Sequence, residues 1–172
     1  VVAHLGQSLD GRVAAAEGCV DRFITGERDI LHTHQLRALC DAIVVGANTV
    51  AMDDPQLTTR LCPGASPVRV ILDTHANLAP GFRVLRDASA PTILATARPE
   101  RIAHTLPSHV SVQRVRMQAG TMDLRALLDR LAARGLRRIY VEGGGVTVAR
   151  FLRLGLIDRL QLVVAPKVLG DA

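Results

Sequence analysis

The sequence predicts an α/β fold in which helices flank one central sheet, and three observations support this prediction. Short β-rich runs alternate with segments of helical periodicity along the 172 residues. Several predicted strands stop at glycine or at small polar side chains. A hydrophobic content of 48% suits a globular chain with a sizeable core, and the length predicts one domain over residues 1–172. In such sheets, ligands bind outside the carboxyl ends of the strands.

The amino-terminal part supplies the first strand and the first helix. Residues 1–5 form a strand-like run, and a loop of small and polar residues follows over residues 6–22. A helix is predicted over residues 27–39, with acidic side chains in its first turn, where they favour the helix dipole. Thr25 is the candidate N-cap of that helix.

A buried strand and a turn come next. The apolar run over residues 42–45 is predicted to be a short strand that Gly46 stops, and a short helical turn follows it. Pro55 disfavours helical geometry at the residue before it, so Asp54 is predicted to be extended.

The middle of the chain is predicted to contain three strands. A surface connection rich in proline and glycine occupies residues 63–67. The strands follow at residues 68–72, 92–96 and 110–115, and the last alternates apolar and polar side chains as a half-buried strand does.

The last third completes the alternation of strands and helices. Leucines recur at i, i+3, i+4 and i+7 between Leu124 and Leu131, which predicts a helix that Gly135 stops. A strand, a helix closed by glycine and a final strand are predicted at residues 139–141, 147–154 and 160–164.

A glycine turn follows the predicted strand at residues 139–141. Glu142 ends that strand, and three consecutive glycines lead into the next helix. Such a turn brings bare backbone N–H groups to a phosphate, and a carboxylate on its edge could contact a bound substrate. A tight structural turn is the alternative. The pattern is neither the G-x-G-x-x-G of a Rossmann site nor the Gly-Lys-Ser/Thr of a P-loop.

A second polar loop runs from Gly46 to Arg60. Thr49 could donate its hydroxyl to a phosphate, although a helix cap is an equal alternative. Asp53 and Arg60 bracket a stretch with two carboxylates, two hydroxyls and an arginine, whose planar fork suits phosphate.

Charge and composition weigh against other classes of site. The net charge is +5, and Lys167 is the only lysine among 21 basic residues, so nearly all of them are arginine. These arginines are scattered and aromatic residues make up 2%, which is unlike a nucleic-acid platform. The histidines and the three cysteines have no metal-ligand spacing, so no metal site is predicted. No membrane-spanning run or secretory signal is visible.

Taken together, eight segments resemble the reductase domain of riboflavin biosynthesis, a dihydrofolate-reductase-like fold with a mostly parallel sheet. They are SLDGR at residues 8–12, FITG at 23–26, LRA at 36–38, VGANTV at 45–50, DDPQLTTR at 53–60, RVILDT at 69–74, VEGG at 141–144 and APKVLG at 165–170. In bifunctional members this domain is the C-terminal half, behind a zinc deaminase that nothing in this sequence encodes. Because the sequence starts at Val1 and ends just after a strand, we expect it to be truncated at one or both ends.

The resemblance implies an NADPH-dependent reductase that acts on 5-amino-6-(5-phosphoribosylamino)uracil or a related compound. The ribose ring opens to an imine, and hydride reaches C1′ to give the ribityl chain. The resemblance also implies a cytoplasmic homodimer whose partner is this small phosphorylated pyrimidine rather than nucleic acid or membrane. Cofactor contacts are expected from Gly6, Phe23, Thr49, Asp53, Thr74, Gly144, Gly145, Val146 and Thr147. Substrate contacts are expected from Arg37, Leu57, Arg60 and Glu142, with the arginines at the phosphate.

The expected catalytic carboxylates are Glu142 and, second, Asp53, because a negative charge stabilises the developing iminium. Ordinary core packing is the alternative for Phe23 and Leu57. His4 stands where family members often carry lysine, which leaves open a reductase of the same fold acting on a pterin-like substrate. A non-catalytic nucleotide-binding protein is a further alternative. Discrimination between NADPH and NADH depends on where Arg98 or His75 lies.

Overall fold

A computed structural model describes residues 1–13, 24–102 and 106–170. Its centre is a sheet of seven parallel strands: β1 (Val2–Gln7), β2 (Ala42–Gly46), β3 (Val68–Leu72), β4 (Thr92–Thr96), β5 (Val110–Arg114), β8 (Ile139–Glu142) and β9 (Arg159–Val164). Their order across the sheet is β5-β4-β3-β2-β8-β1-β9. Two short strands, β6 (Met117–Gln118) and β7 (Thr121–Met122), form a separate antiparallel hairpin. The predicted α/β fold with a mostly parallel sheet is therefore confirmed.

Helices cover both faces of the sheet. They are α1 (Glu27–Leu39), α2 (Ala47–Asp53), α3 (Arg83–Arg86), α4 (Leu124–Ala133) and α5 (Gly145–Arg153), and a 3-10 turn lies at Pro99–Arg101. One hydrophobic cluster joins α4 and α5 to the sheet, and a second joins α1, α2 and α3 to it. Consecutive strand residues alternate between the clusters, as Ile43 and Val44 do, because successive side chains point to opposite faces.

The sequence placed most elements within two residues of their observed ends, but two local predictions are wrong. The N-cap of α1 is Gly26, with no side-chain cap bond, rather than Thr25. Asp54 is left-handed (φ 39°) rather than extended, because it caps α2: its N–H donates to the Val50 carbonyl at 3.0 Å. Its side chain then accepts a hydrogen bond from the backbone N–H of Arg83 at 2.7 Å, which ties α2 to α3.

Further differences concern the length of two elements and the presence of two others. β1 continues into the predicted loop as far as Gln7, because it pairs with β9 up to Val164. α5 begins at Gly145, two residues before its predicted start. The four-residue α3 and the β6–β7 hairpin were not predicted, since neither is long enough to show a period.

The topology determines where a site can form. Because β8 lies between β2 and β1, and all three run the same way, the loops that leave their carboxyl ends meet at one edge of the sheet. The glycine turn follows β8 and the polar loop follows β2, so the two loops are neighbours.

Candidate active site

A cleft of about 890 Å³ opens at the carboxyl ends of β1, β2, β3 and β8. Most of the predicted site residues line it, and they come from six separate segments of the chain. These residues are Gly6, Arg37, Thr49, Asp53, Arg60, Thr74, Glu142, Gly144, Gly145, Val146 and Thr147. Asp53 is exposed, whereas Thr147 is buried.

Two predicted residues are not brought to the cleft. Leu57 does not line it, and its side chain is 1% exposed within the cluster under α1, α2 and α3, so core packing describes its surroundings. Phe23 lies outside the described residues.

The polar loop after β2 and the glycine turn after β8 interlock by two reciprocal close approaches. A Cβ on Gly144 would lie 2.8 Å from the Thr49 hydroxyl, and a Cβ on Gly46 would lie 2.7 Å from the Thr147 hydroxyl. Each loop therefore carries a glycine where the other presents a threonine. The two loops therefore touch, and both line the same cleft.

The glycine turn needs its glycines for conformation as well as for space. Gly143 and Gly144 have φ values of 67° and 63°, in the left-handed region that disfavours side chains. The Gly144 carbonyl accepts the N–H groups of Thr147 and Val148, which starts α5. The N–H groups of Gly145 and Val146, the first two residues of α5, have no acceptor within the helix, and both residues line the cleft, an arrangement suited to an anion.

Glu142 is held by Arg37 through two hydrogen bonds. Arg37 Nε donates to Glu142 Oε2 at 2.8 Å, Nη2 donates to Oε1, and Nη1 donates to the Thr58 carbonyl at 3.0 Å. Burial alone would lower the pKa of Arg37, but the hydrogen bonds and charge of Glu142 outweigh it and raise that pKa. Arg37 thus orients the carboxylate, and its fork is already occupied.

Arg60 is positioned through its backbone, which leaves its side chain exposed at the cleft. Its N–H donates to Nδ1 of the buried His34 at 3.1 Å. Burial, then the charges of Arg37 and Arg60, lower the pKa of His34 to about 4, so this ring is neutral near pH 7. No described residue accepts a hydrogen bond from the Arg60 guanidinium, and none forms an ion pair with it.

His4 lies deep on the β1 side of the cleft, directly opposite Glu142 in the strand register. It is 5% exposed, and its Nε2 lies 3.0 Å from Asp29 Oδ1. Its ring also packs edge-on against His32, with centroids 5.7 Å apart. Near it, a Cβ on Gly6 would meet the Thr25 methyl at 2.7 Å, so Gly6 keeps this wall open.

Sequence reasoning missed several residues that line the cleft. Asp29 and Thr33 lie eight and four positions before Arg37, on the same face of α1, so helical spacing counted back from Arg37 would have found them. Gly120 and Thr121 reach the cleft from the unpredicted β6–β7 hairpin, and no periodic signal marks them. Within the described residues, no group of three or more His, Cys, Asp or Glu side chains could hold a metal ion.

A helix able to cross a bilayer is also absent from the described part of the chain.

Comparison with known proteins shows which family the chain belongs to. The family model of the RibD C-terminal domain matches residues 1–172. A protein named 2,5-diamino-6-ribosylamino-4(3H)-pyrimidinone 5′-phosphate reductase from Methanothermobacter thermautotrophicus is 41% identical over 99% of this chain and 79% of its own length. The riboflavin biosynthesis protein RibD of Aquifex aeolicus is 35% identical over 96% of this chain and 46% of its own length.

Solved structures give the same result. A deaminase/reductase from Thermotoga maritima matches with a TM-score of 0.82 and 29% identity, over 99% of this chain and 46% of its own. The riboflavin biosynthesis reductase Rib7 of Saccharomyces cerevisiae matches with a TM-score of 0.79 and 26% identity, over 99% and 74% of the two chains. The chain thus spans about half the length of the RibD protein and of the deaminase/reductase, and about three quarters of the two proteins named as reductases.

Proposed function

The chain belongs to the RibD C-terminal domain family, and we propose that it reduces the ribosyl group of a phosphorylated ribosylamino-pyrimidine to ribityl with NADPH. The observation that supports this most directly is the single cleft where the glycine turn meets Thr49 and where Arg37 holds Glu142. One part of the cleft suits a dinucleotide, and the adjoining part suits a phosphorylated, cationic intermediate.

The cofactor part consists of the glycine turn, the start of α5 and the polar groups after β2 and β3. Backbone N–H groups at the start of α5 would hold the pyrophosphate, and the Thr49 and Thr147 hydroxyls lie beside the turn. Thr74, Asp53, Gly145 and Val146 would supply further contacts, and Gly6 would admit the nicotinamide ring. Reduced nicotinamide supplies the hydride when it is bound, so the protein's task is to orient two ligands and exclude water.

The substrate part of the cleft contains a negative group, the Glu142 carboxylate, and a positive group, the Arg60 guanidinium. Glu142 would present its carboxylate to the developing iminium charge, and the hydrogen bonds from Arg37 hold this carboxylate in place. Because Arg37 is occupied, we assign the phosphate to Arg60, whose fork is exposed at the cleft. This revises the expectation that both arginines grip the phosphate. Asp53 stays the second catalytic candidate.

A cytoplasmic homodimer remains part of the proposal. The edge strand β9 exposes Leu160, Leu162 and Val164, at 43%, 50% and 47%. An apolar strand of this kind is compatible with a second subunit or with another segment covering it.

The test is an assay of the purified chain with 2,5-diamino-6-ribosylamino-4(3H)-pyrimidinone 5′-phosphate and NADPH. Oxidation of NADPH should accompany conversion of ribosyl to ribityl, and deuterium from labelled NADPH should appear at C1′. Turnover of a pterin-like substrate in its place would favour the other reductase. Tight binding of NADPH without its oxidation by either substrate would favour a nucleotide-binding protein.

A further inference from the structure

The turn that follows β1 is joined to the segment that follows β9 by the side chain of Asp10. Asp10 Oδ1 accepts the backbone N–H of Leu169 at 3.1 Å, and Oδ2 accepts the backbone N–H of Gly170 at 2.9 Å. We call these two hydrogen bonds the Asp10 clamp. The Ser8 hydroxyl and then the N–H of Leu169 lower the pKa of Asp10 to about 2, so this carboxylate is charged near pH 7.

The turn that carries Asp10 is closed by hydrogen bonds between its two ends. The N–H of Ser8 donates to the Arg12 carbonyl at 2.9 Å, and the Ser8 hydroxyl accepts the N–H of Arg12 at 3.0 Å. Next to the Asp10 clamp, the N–H of Leu9 donates to the Lys167 carbonyl at 2.8 Å. Because the turn is closed on itself, we expect the contacts with the segment after β9 to fix the position of the whole turn.

The residue directly after this turn, Val13, lines the cleft beside the glycine turn. A Cβ on Gly145 would lie 3.5 Å from Val13 Cγ2, an ordinary van der Waals contact, so this methyl group lies next to the first residue of α5. Val13 is 42% exposed, which leaves its side chain free to cover a ligand there. An apolar cover excludes water, and hydrogen bonds to an anion are stronger where water is excluded.

We propose that Asp10 is a positioning residue for the cofactor: the Asp10 clamp fixes the turn after β1, and the turn holds Val13 beside the pyrophosphate site. The inference rests on the proposed function, which assigns the pyrophosphate to the start of α5. Asp10 does not itself line the cleft, so its effect passes through Val13. Without the clamp, the backbone bond from Leu9 remains, and Val13 is held less firmly over the bound anion.

Asp41 offers a matched control, because its carboxylate is used in the same way at the opposite end of the sheet. Asp41 Oδ2 accepts the backbone N–H groups of Arg137 and Arg138 at 3.0 and 2.8 Å. Hydrogen bonds from the side chain and backbone of Arg138 lower the pKa of Asp41 to about 2. Asp41 directly precedes β2, whereas Asp10 follows the carboxyl end of β1. Asp10→Asn and Asp41→Asn should therefore both reduce stability, and only Asp10→Asn should weaken cofactor binding.

The test measures the dissociation constant and the dissociation rate of NADPH for Asp10→Asn, Val13→Ala, the double variant and Asp41→Asn. Because Asp10 and Val13 are exposed, these substitutions should leave the protein folded, and unfolding by urea checks this. We expect Asp10→Asn and Val13→Ala each to weaken NADPH binding at least fivefold, mainly through faster dissociation. The double variant should be at most twofold weaker than the weaker single variant, because both changes remove the same cover. Asp41→Asn should bind NADPH within twofold of the parent.

Four results would overturn the proposal: binding like the parent's in Asp10→Asn or in Val13→Ala, an equal loss in Asp41→Asn, losses that multiply in the double variant, or no binding of NADPH by the parent. If the parent binds NADPH but reduces no pyrimidine, the proposed reaction fails while the binding measurements still decide the role of Asp10.

Discussion

Alanine substitutions at three glycines test whether the interlocked loops build the cofactor site. Gly144→Ala combines a left-handed φ of 63° with a Cβ that would lie 2.8 Å from the Thr49 hydroxyl. Gly46→Ala has only the close approach, 2.7 Å from the Thr147 hydroxyl at an ordinary φ of −80°. Gly155→Ala has only the strain, with the same φ of 63° and nothing within 4 Å of its Cβ.

The expected costs follow from these geometries. Left-handed strain costs about 1–2 kcal/mol, and overpacking costs about 1–3 kcal/mol. Gly155→Ala should therefore lose about 1–2 kcal/mol of unfolding free energy, Gly46→Ala about 1–3 kcal/mol, and Gly144→Ala about 2–5 kcal/mol. At Gly144, the Thr49 hydroxyl must also retreat by about 0.6 Å to reach an ordinary 3.4 Å contact.

The assay measures both unfolding by urea and the dissociation constant of NADPH for each variant. Gly144→Ala and Gly46→Ala should weaken NADPH binding at least tenfold, which corresponds to about 1.4 kcal/mol. Gly155→Ala should bind NADPH as the parent does. The reasoning is refuted if the three variants bind NADPH equally well, since the contact between the loops would then have no bearing on the cofactor.

Three further substitutions test the catalytic carboxylate, the phosphate ligand and the buried histidine beside it. Glu142→Gln should lower kcat at least tenfold, about 1.4 kcal/mol of barrier, and should reduce unfolding free energy by about 1–3 kcal/mol because Arg37 loses its charged partner; an unchanged kcat would remove Glu142 from the mechanism. Arg60→Ala should raise KM for the pyrimidine at least tenfold while KM for NADPH stays within twofold, and equal losses would contradict the phosphate assignment. His34 has a folded-state pKa of about 4, below its ordinary 6.5, so the unfolded chain binds the proton first as the pH falls. Stability should therefore decrease by up to about 3 kcal/mol between pH 6.5 and 4. His34→Gln should flatten this dependence in urea midpoints, and an unaltered slope would show that another group causes it.

The sequence was informative where chemistry and spacing are local. The strand-end residues Thr49, Thr74 and Glu142 were found because glycine and polar side chains interrupt apolar runs. The interlock of Gly46 with Thr147 could not be found, because it joins residues far apart in the chain and depends on β8 lying beside β2.

The role of Arg37 shows the same limit more sharply. The family resemblance implied that Arg37 contacts the substrate phosphate, and no feature of the sequence indicated that its side chain is buried and hydrogen-bonded to Glu142. Asp54 is a smaller case, since the local effect of Pro55 predicted extended backbone and the end of α2 required a left-handed residue. At Asp54, the tertiary structure outweighed the local preference.

The position of β1 between β8 and β9 has a consequence for synthesis on the ribosome. Among the described residues, the sheet partners of β1 are β8 and β9, so β1 gains these neighbours only after residues 139–164 have emerged. His4 comes to lie beside Glu142 only at that point, so this side of the cleft forms only after β8 has been made. Pairings this distant in sequence make for slow folding, and the nascent chain carries an unpaired apolar strand during the interval, when a chaperone would be of most use.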